Sequence, residues 1–463
     1  MASNPPPQLP PGMTSSLRGI SETYSFHASP EAFIASRVLA YQKEHPSLGT
    51  SQAIIRAKIL NRNVAVVSSH AQITHILKSS DGYTAGAAYA ELMAPFFPSP
   101  NLLLLEGEEH VHIRQAWEGR LEGMFGKVEG LVKRLTKEHF APLANGEEVE
   151  LYETLKTLSW KILLGVFISL IPEEDEIDVV EKHQETLLRG QFSLMPISVN
   201  AGFWHSPRKR GIDAKTRLQE ILGERLKEDP ARCPFNLSSG EQIDEAANHS
   251  VLFTSSLAAK AIASFMTALF LNIFFFPGSK KGFAATLANT ADGGSCKKAL
   301  RSIVLETERL SPPIVGIMRR STQENTVPSP HDQPDGLIPS GWDVWLYFVG
   351  GGRDPTIYGD SWGRFEPGRY LDSDVSPAFA FGAGSKTCLG QHLIREIVTA
   401  VAEACLDMRL NLDGDVTASG VRARLGWTEN DEVSPEVWAA DMKQLPTQHP
   451  TKPVRVRISS GTS

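Results

Sequence analysis

Phe381-Gly382-Ala383-Gly384-Ser385-Lys386-Thr387-Cys388-Leu389-Gly390 is the stretch on which the fold turns. Its middle, Gly384-Ser385-Lys386-Thr387, resembles a phosphate-binding loop at first sight. Such a loop needs glycine directly before Lys-Ser/Thr and another glycine five residues earlier, because its backbone N–H groups must wrap the phosphates. Ser385 precedes Lys386 and Ala380 holds the second position, so that reading fails. What remains is one cysteine among glycines, ahead of a helical run over residues 388–410. Glycines before and after it let the backbone turn tightly and aim N–H groups at the sulfur. The start of the following helix adds its dipole to the stabilisation of a thiolate.

Working outward, the 463 residues are 41% hydrophobic, enough for a large core and too many for wholesale disorder. The 53 acidic and 46 basic residues leave a net charge of −7, which argues against a nucleic-acid binder. The four cysteines, at 233, 296, 388 and 405, match neither a disulfide framework nor a zinc-binding spacing. The opening MASNPPPQLPPGMTSSLRG has no apolar h-region, so the expectation is a proline-rich flexible segment over 1–24 without signal peptide or anchor. A reducing, cytoplasmic setting follows as the default.

Hydrophobic periodicity predicts a strand then a helix within 53–78, and amphipathic helices over 108–140, 149–170 and 207–228. Residues 251–276 are the most apolar stretch, with Lys260 as its one charge. Its length would span a membrane, but Ser255, Ser256, Lys260, Ser264, Thr267 and Asn272 interrupt it, and a long helix through a core is the better reading. A helix over 297–310 stops at Ser311-Pro312-Pro313, and Trp342 to Phe348 reads as an apolar strand. The organisation is mainly α with a minor β region, one domain over 25–463.

The spacing of Phe381, Gly384, Cys388 and Gly390 is that of a haem-thiolate loop, F-x-x-G-x-x-x-C-x-G, in which Cys388 ligates the iron. A lone cysteine in a loop is ordinarily a structural residue, so three further motifs matter. Glu306-Thr307-Glu308-Arg309 places Glu306 and Arg309 on one helix face. Asp360-Ser361-Trp362-Gly363-Arg364-Phe365-Glu366-Pro367-Gly368-Arg369-Tyr370 follows it. Glu106 to Arg114 carries His110 and Arg114 four apart, also on one face. In this order the motifs resemble the cytochrome P-450 family over roughly residues 25–458, and Gly352-Arg353-Asp354-Pro355 is similar to a further family segment.

The resemblance implies a mainly α cytochrome P-450 fold with a small β subdomain. It implies haem b, iron protoporphyrin IX, with the Cys388 thiolate as axial ligand, Phe381 and Gly390 beside the sulfur, and Glu306, Arg309 and Arg364 as a structural triad. It implies His110, Arg114, Arg319 (or its neighbour Arg320) and Lys386 as propionate contacts. Phe96, Phe97, Ala258, Ala259, Ile314 and Val315 are expected in an apolar substrate pocket.

One departure stands out. The family carries an acid followed by threonine in its long central helix, to relay protons to dioxygen. Counting back from Pro277 puts Ala258-Ala259-Lys260-Ala261 at that turn, whereas matching Leu252-Phe253 to the helix entry puts Ser255, Leu257 and Ala258 there. Neither supplies the pair. The first is preferred here, which makes Lys260 and Ala261 the residues at the catalytic position. Lys260 is expected either to face away toward a carboxylate or solvent, the favoured reading, or to contact an acidic or oxygen-rich substrate. Three functions stay open: monooxygenation of a hydrophobic small molecule with a separate reductase and other proton donors, peroxide use or hydroperoxide rearrangement, and a haem-binding sensor or carrier without turnover. The resemblance implies a mobile lid over 192–204, whose apolar run and following Arg208-Lys209-Arg210 also suit weak peripheral membrane contact. A monomer is expected.

Overall fold

A computed structural model describes residues 7–12, 19–44, 54–59, 62–79, 81–169, 174–193, 205–228, 240–277, 293–329, 335–372, 378–428 and 434–460. The lid expected over 192–204 lies mostly outside them.

The sheet nearest the chain start shows how period-two sequence becomes two buried faces. Strands β1 (Ile55–Ile59) and β2 (Arg62–Val67) form an antiparallel pair. The short β3 is Tyr83–Thr84, and β4 (Asn145–Glu150) belongs to a separate sheet. β5 (Gly316–Ser321) is followed by the small hairpin of β6 (Asn325–Val327) and β7 (Gly336–Ile338), then β8 (Asp343–Tyr347). The five-stranded order is β1-β2-β8-β5-β3, with β2 and β8 parallel. Val64, Val66, Trp345 and Tyr347 enter one cluster with Phe26 and Phe33. The alternate residues Ala65, Val67, Val344 and Leu346 enter another with Ile73 and Ile76. Successive side chains point to opposite faces, so both faces of this sheet are covered. A three-stranded sheet joins β4, β12 (Arg455–Ser460) and β9 (Leu410–Gly414), and β10 (Met442–Lys443) pairs with β11 (His449–Pro450).

The helices of eight or more residues are α1 (Gly19–Ala28), α2 (Pro30–Glu44), α3 (His70–Lys78), α4 (Ala85–Met93), α5 (Gly107–Glu122), α6 (Phe125–Phe140) and α7 (Leu151–Ile168). Then follow α8 (Glu174–Gln191), α9 (Pro207–Glu228), α10 (Gly240–Phe253), α11 (Ser256–Phe275), α12 (Gly293–Leu310) and α13 (Gln391–Asp407). The main core is built by α5 to α13, with α11 through its middle. Among the described residues, α11 is the one helix apolar and long enough to cross a membrane, and 78% of its apolar window is buried inside the protein. It is a core helix, as its interrupting polar residues suggest.

Two expectations are corrected. The helix over 251–276 is broken: Ser255 is extended (φ −65°, ψ 152°) and caps α11 by accepting from Ala258 N at 3.3 Å. Thr254-Ser255-Ser256 sets three hydroxyls in a row, which compete for backbone groups and favour a cap over continued helix. Nor are residues 1–24 a free lead-in throughout. Gln8 bridges Gly336, Gly12 bridges Arg56, and α1 begins at Gly19.

Candidate active site

Cys388 sits where the loop closes on α13. Its N–H donates to Phe381 O at 2.8 Å, and Gln391 N donates to Cys388 O at 3.2 Å. Gly382 and Gly384 both have φ of 71°, a region costly for any residue with a Cβ. At Gly384 a Cβ would also run into the carbonyl of Leu77, at the end of α3. The thiol side chain is exposed on one side. Packed protein on its other sides pushes its pKa up, while the Gly390 N–H and the Arg114 charge favour the thiolate. A Cβ on Gly390 would lie 3.9 Å from the sulfur, in ordinary contact. Phe381 is half-buried beside the loop, edge-on to Phe265 at 6.5 Å between centroids, with the Arg395 guanidinium 5.4 Å from its ring.

A basic cluster adjoins the loop. Arg114 donates to Thr387 O at 2.6 Å, one residue before the cysteine, and to Glu118 at 2.7 Å. Lys386 donates to Leu105 O and lies 3.4 Å from Glu106. Burial lowers the Lys386 pKa, Glu106 opposes that, and the Arg319 and Arg114 charges add to it. His110 is 3% exposed, and burial, then Lys386 and Arg114, lower its pKa to about 4. It is therefore neutral at pH 7. Arg319 is 6% exposed, donates to Met318 O at 2.9 Å, and has its pKa lowered by burial. Among the described residues no carboxylate lies within 4.0 Å of it. Arg320 is committed to Asp343 at 2.8 Å, which separates the two neighbours.

Behind the loop, Glu306 and Arg309 are both fully buried and form a two-pronged pair at 2.8 and 2.7 Å. The third member is Arg369, whose Nε donates to both Glu306 oxygens at 3.1 Å. The expectation of Arg364 is corrected: its side chain is exposed, and it contributes only its carbonyl, which accepts from Arg309 at 3.0 Å. Both arginines stood in the quoted motif. The one five residues further on lies past the turn at Glu366, whose N–H donates to Glu306 at 3.0 Å. Glu308, also fully buried, holds Arg395 of α13 by two bonds of 2.7 and 2.8 Å, a contact that no sequence spacing announced.

Phe265 identifies the face of α11 turned to the loop. At 3.6 residues per turn, Ala261 and Ala258 share that face, and Lys260 lies about 140° around from it. The structure accordingly corrects the assignment of Lys260 to the catalytic position. Its Nζ donates to Glu185 of α8 at 2.9 Å, on the side that also carries Ser256. The helix break falls at the second of the two anchorings. The residues expected in the pocket separate by their place in the fold. Phe96 is fully buried against Gly190 and Gly211, where α8 meets α9. Val315 is fully buried in the sheet core, Ala259 in the helical core, and Phe97 is 4% exposed in the same core. Ile314 and Ala258 are half-buried.

These residues fit the haem that the resemblance implies. An accessible thiol stands in the loop whose Phe381 meets Phe265 of α11, and Ala258 and Ala261 share that helix face. The desolvated Arg319, whose charge reaches Lys386 of the loop and which among the described residues has no ion-paired carboxylate, suits the group's propionates. Comparison with known proteins agrees. The Cytochrome P450 family profile matches residues 298–406. Cytochrome P450 90D2 of Brachypodium distachyon is 25% identical over 430 residues, 83% of this chain and 78% of that protein. Cytochrome P450 85A3 of Solanum lycopersicum is 29% identical over 201 residues, 40% of each. The crystal structure of CYP175A1 from Thermus thermophillus superposes with a TM-score of 0.68 at 17% identity, covering 96% of this chain and 99% of that one. The chain thus has the cytochrome P450 fold over nearly its whole length and is similar in sequence to cytochromes P450 across 83% of it.

Proposed function

We propose that this oxidoreductase is a monooxygenase of a hydrophobic small molecule, of the kind made in specialised metabolism, working in the cytoplasm as a monomer with a separate reductase. The observation that carries the haem-thiolate assignment is the Cys388 loop: an accessible sulfur, an N–H from Gly390 beside it, and glycine forced at 384 by the Leu77 carbonyl. When bound, haem supplies the oxidising chemistry, and a thiolate ligand favours cleavage of the O–O bond.

The chain's own residues do the rest. Arg114, Arg319 and Lys386 would neutralise the propionates, and neutral His110 would offer a hydrogen bond there. Phe381, in the same loop, would help keep water from the sulfur once the group is bound. Glu306, Arg309 and Arg369 pin the segment before the loop, so that the sulfur is held at a fixed height below α11. Ala258 and Ala261, small and uncharged, leave room for an apolar substrate.

A second reading is favoured by one observation. The face of α11 turned to the loop carries alanine, alanine and phenylalanine, with neither acid nor threonine. Peroxide use or hydroperoxide rearrangement needs no such pair. The test is turnover of a substrate found by spectral binding, once with reductase and reductant, once with peroxide alone. Product only with peroxide would overturn the monooxygenase reading. A bound haem with no turnover under either condition would leave a sensor or carrier.

A further inference from the structure

Glu106 opens α5 as its N-cap, yet its carboxylate makes no cap bond to that helix. It reaches the start of α4 instead. Its Oε1 accepts from Gly86 N and from Thr84 Oγ1, both at 2.6 Å. Thr84 is the N-cap of α4 and makes no side-chain cap bond of its own, so Glu106 satisfies an N–H that the helix start would otherwise leave open. The positive end of α4 favours a carboxylate at that point. Room for it depends on glycine, because a Cβ at 86 would lie 2.6 Å from Leu104 O and 3.1 Å from Glu106 Oε1. The other oxygen, Oε2, lies 3.4 Å from Lys386 Nζ in the thiol loop, and Lys386 also donates to Leu105 O. Burial would raise the Glu106 pKa, but Thr84, Gly86 and Lys386 bring it below the ordinary carboxylate value, so it is charged at pH 7. Glu106 thereby ties three pieces together: the loop two residues before Cys388, the start of the helix that carries His110 and Arg114, and the start of α4.

We propose that Glu106 is a positioning residue for the haem propionates: seated on α4, it fixes the direction of Lys386 and so governs how long the group is retained. The inference rests on the haem-thiolate reading and gives a role to the one carboxylate that touches Lys386. An ammonium carries three N–H donors on a flexible stem. Leu105 O and Glu106 take two of them, and among the described residues the third has no partner, which leaves it for a propionate. Arginine at this position would need no such guide, because a guanidinium presents its donors in a rigid fork. Lysine does need one, and Glu106 is held firmly enough by α4 to provide it.

The test needs no turnover. It follows by absorbance the release of haem from the loaded protein to excess apomyoglobin. Glu106→Gln keeps an oxygen for Gly86 N and Thr84 Oγ1 and removes only the charge that holds Lys386. Its haem should leave roughly tenfold faster or more, as expected for loss of an outer partner, with far-ultraviolet circular dichroism unchanged. Lys386→Met should release haem comparably fast. Adding Glu106→Gln to it should change the rate by less than about twofold, because the two residues act as one unit. Lys386→Arg in the Glu106→Gln background should restore slow release, which a merely structural role of Glu106 would not allow. Release from Glu106→Gln at the parent rate overturns the proposal, as do multiplying losses in the Glu106→Gln/Lys386→Met variant or no rescue by Lys386→Arg. A parent that carries no haem overturns the haem-thiolate reading, and the proposal with it. Should Glu106→Gln not load haem, loading by Glu106→Gln/Lys386→Arg supports the proposal, and its failure overturns it.

Discussion

At the residue scale the clearest discrimination lies between two arginines. Arg309 and Glu306 are fully buried, and Arg369 completes their pair. Removing one partner strands a buried charge, at a cost on the order of 3–5 kcal/mol. Arg309→Ala and Arg369→Ala should therefore give little haem-loaded protein. Arg364→Ala keeps the carbonyl that Arg309 uses, and should stay within about 0.5 kcal/mol of the parent in urea unfolding. Equal loss in all three variants would mean that the side chain of Arg364 matters after all. Cys388→Ser should abolish the thiolate-type absorption of the reduced carbon monoxide complex, and persistence of that band would remove Cys388 as ligand. Cysteine, glycines and the Glu306/Arg309 pair were legible because their spacing is local. Arg369 was missed, and Lys260 had two readings of which the one facing a carboxylate holds, because spacing along the chain does not say which of two nearby side chains turns inward. Lys260 turns to Glu185, 75 residues earlier, and only the packing of α8 on α11 brings the two together.

At the scale of elements, periodicity located α3, α5 to α7, α9 and α11 to α13, since an amphipathic stripe reports its own buried face, but it named no helix at α4, α8 or α10. It missed the break in the central helix, because apolar residues continue on both sides of it. The signal was present in the three consecutive hydroxyls 254–256, whose competition for backbone groups outweighs hydrophobic continuity. Ser255→Ala removes the cap on Ala258 N and should cost about 0.5–2 kcal/mol in unfolding by denaturant, with the change confined to stability if the cap is its whole role. The loop bearing Cys388 is more demanding. Gly384→Ala forces both a positive φ and a collision with the Leu77 carbonyl, so α3 and the loop must part. That variant should lose haem retention more than helix content, measured by haem absorbance against far-ultraviolet circular dichroism. Parallel loss of both would place the damage in the fold at large.

At the scale of the whole molecule, resemblance carried the fold because the motifs recur in order over most of the chain, yet buried ionisable groups that set its response to pH carry no motif. His139 of α6 is half-buried with its Nε2 3.0 Å from Thr154 O, and burial, then Lys161, lowers its pKa to about 4. His449 stacks on Tyr152 at 4.2 Å between centroids, and burial, then Lys443, lowers it to about 4 as well. An unfolded histidine titrates near 6.5. Between pH 6.5 and about 4 the unfolded chain therefore binds more protons than the folded one, and unfolding becomes easier as pH falls. The contribution is complete above pH 6.5 and is lost progressively toward pH 4. Glu245 works one step lower. Burial would raise its pKa, but His249 and Arg120 hold it to about 2, so its contribution is lost below the unfolded carboxylate range near 4.3. The melting temperature should thus fall in two stages on acidification, histidines first. Glutamine at 139 can still hydrogen-bond the Thr154 carbonyl, and phenylalanine at 449 can still stack on Tyr152. The double variant His139→Gln/His449→Phe should flatten the fall between pH 7 and pH 5 and keep the later one. An unchanged slope over that first interval would show that these two histidines are not its source, and would shift attention to His110, whose neighbours are the cations beside the thiol loop.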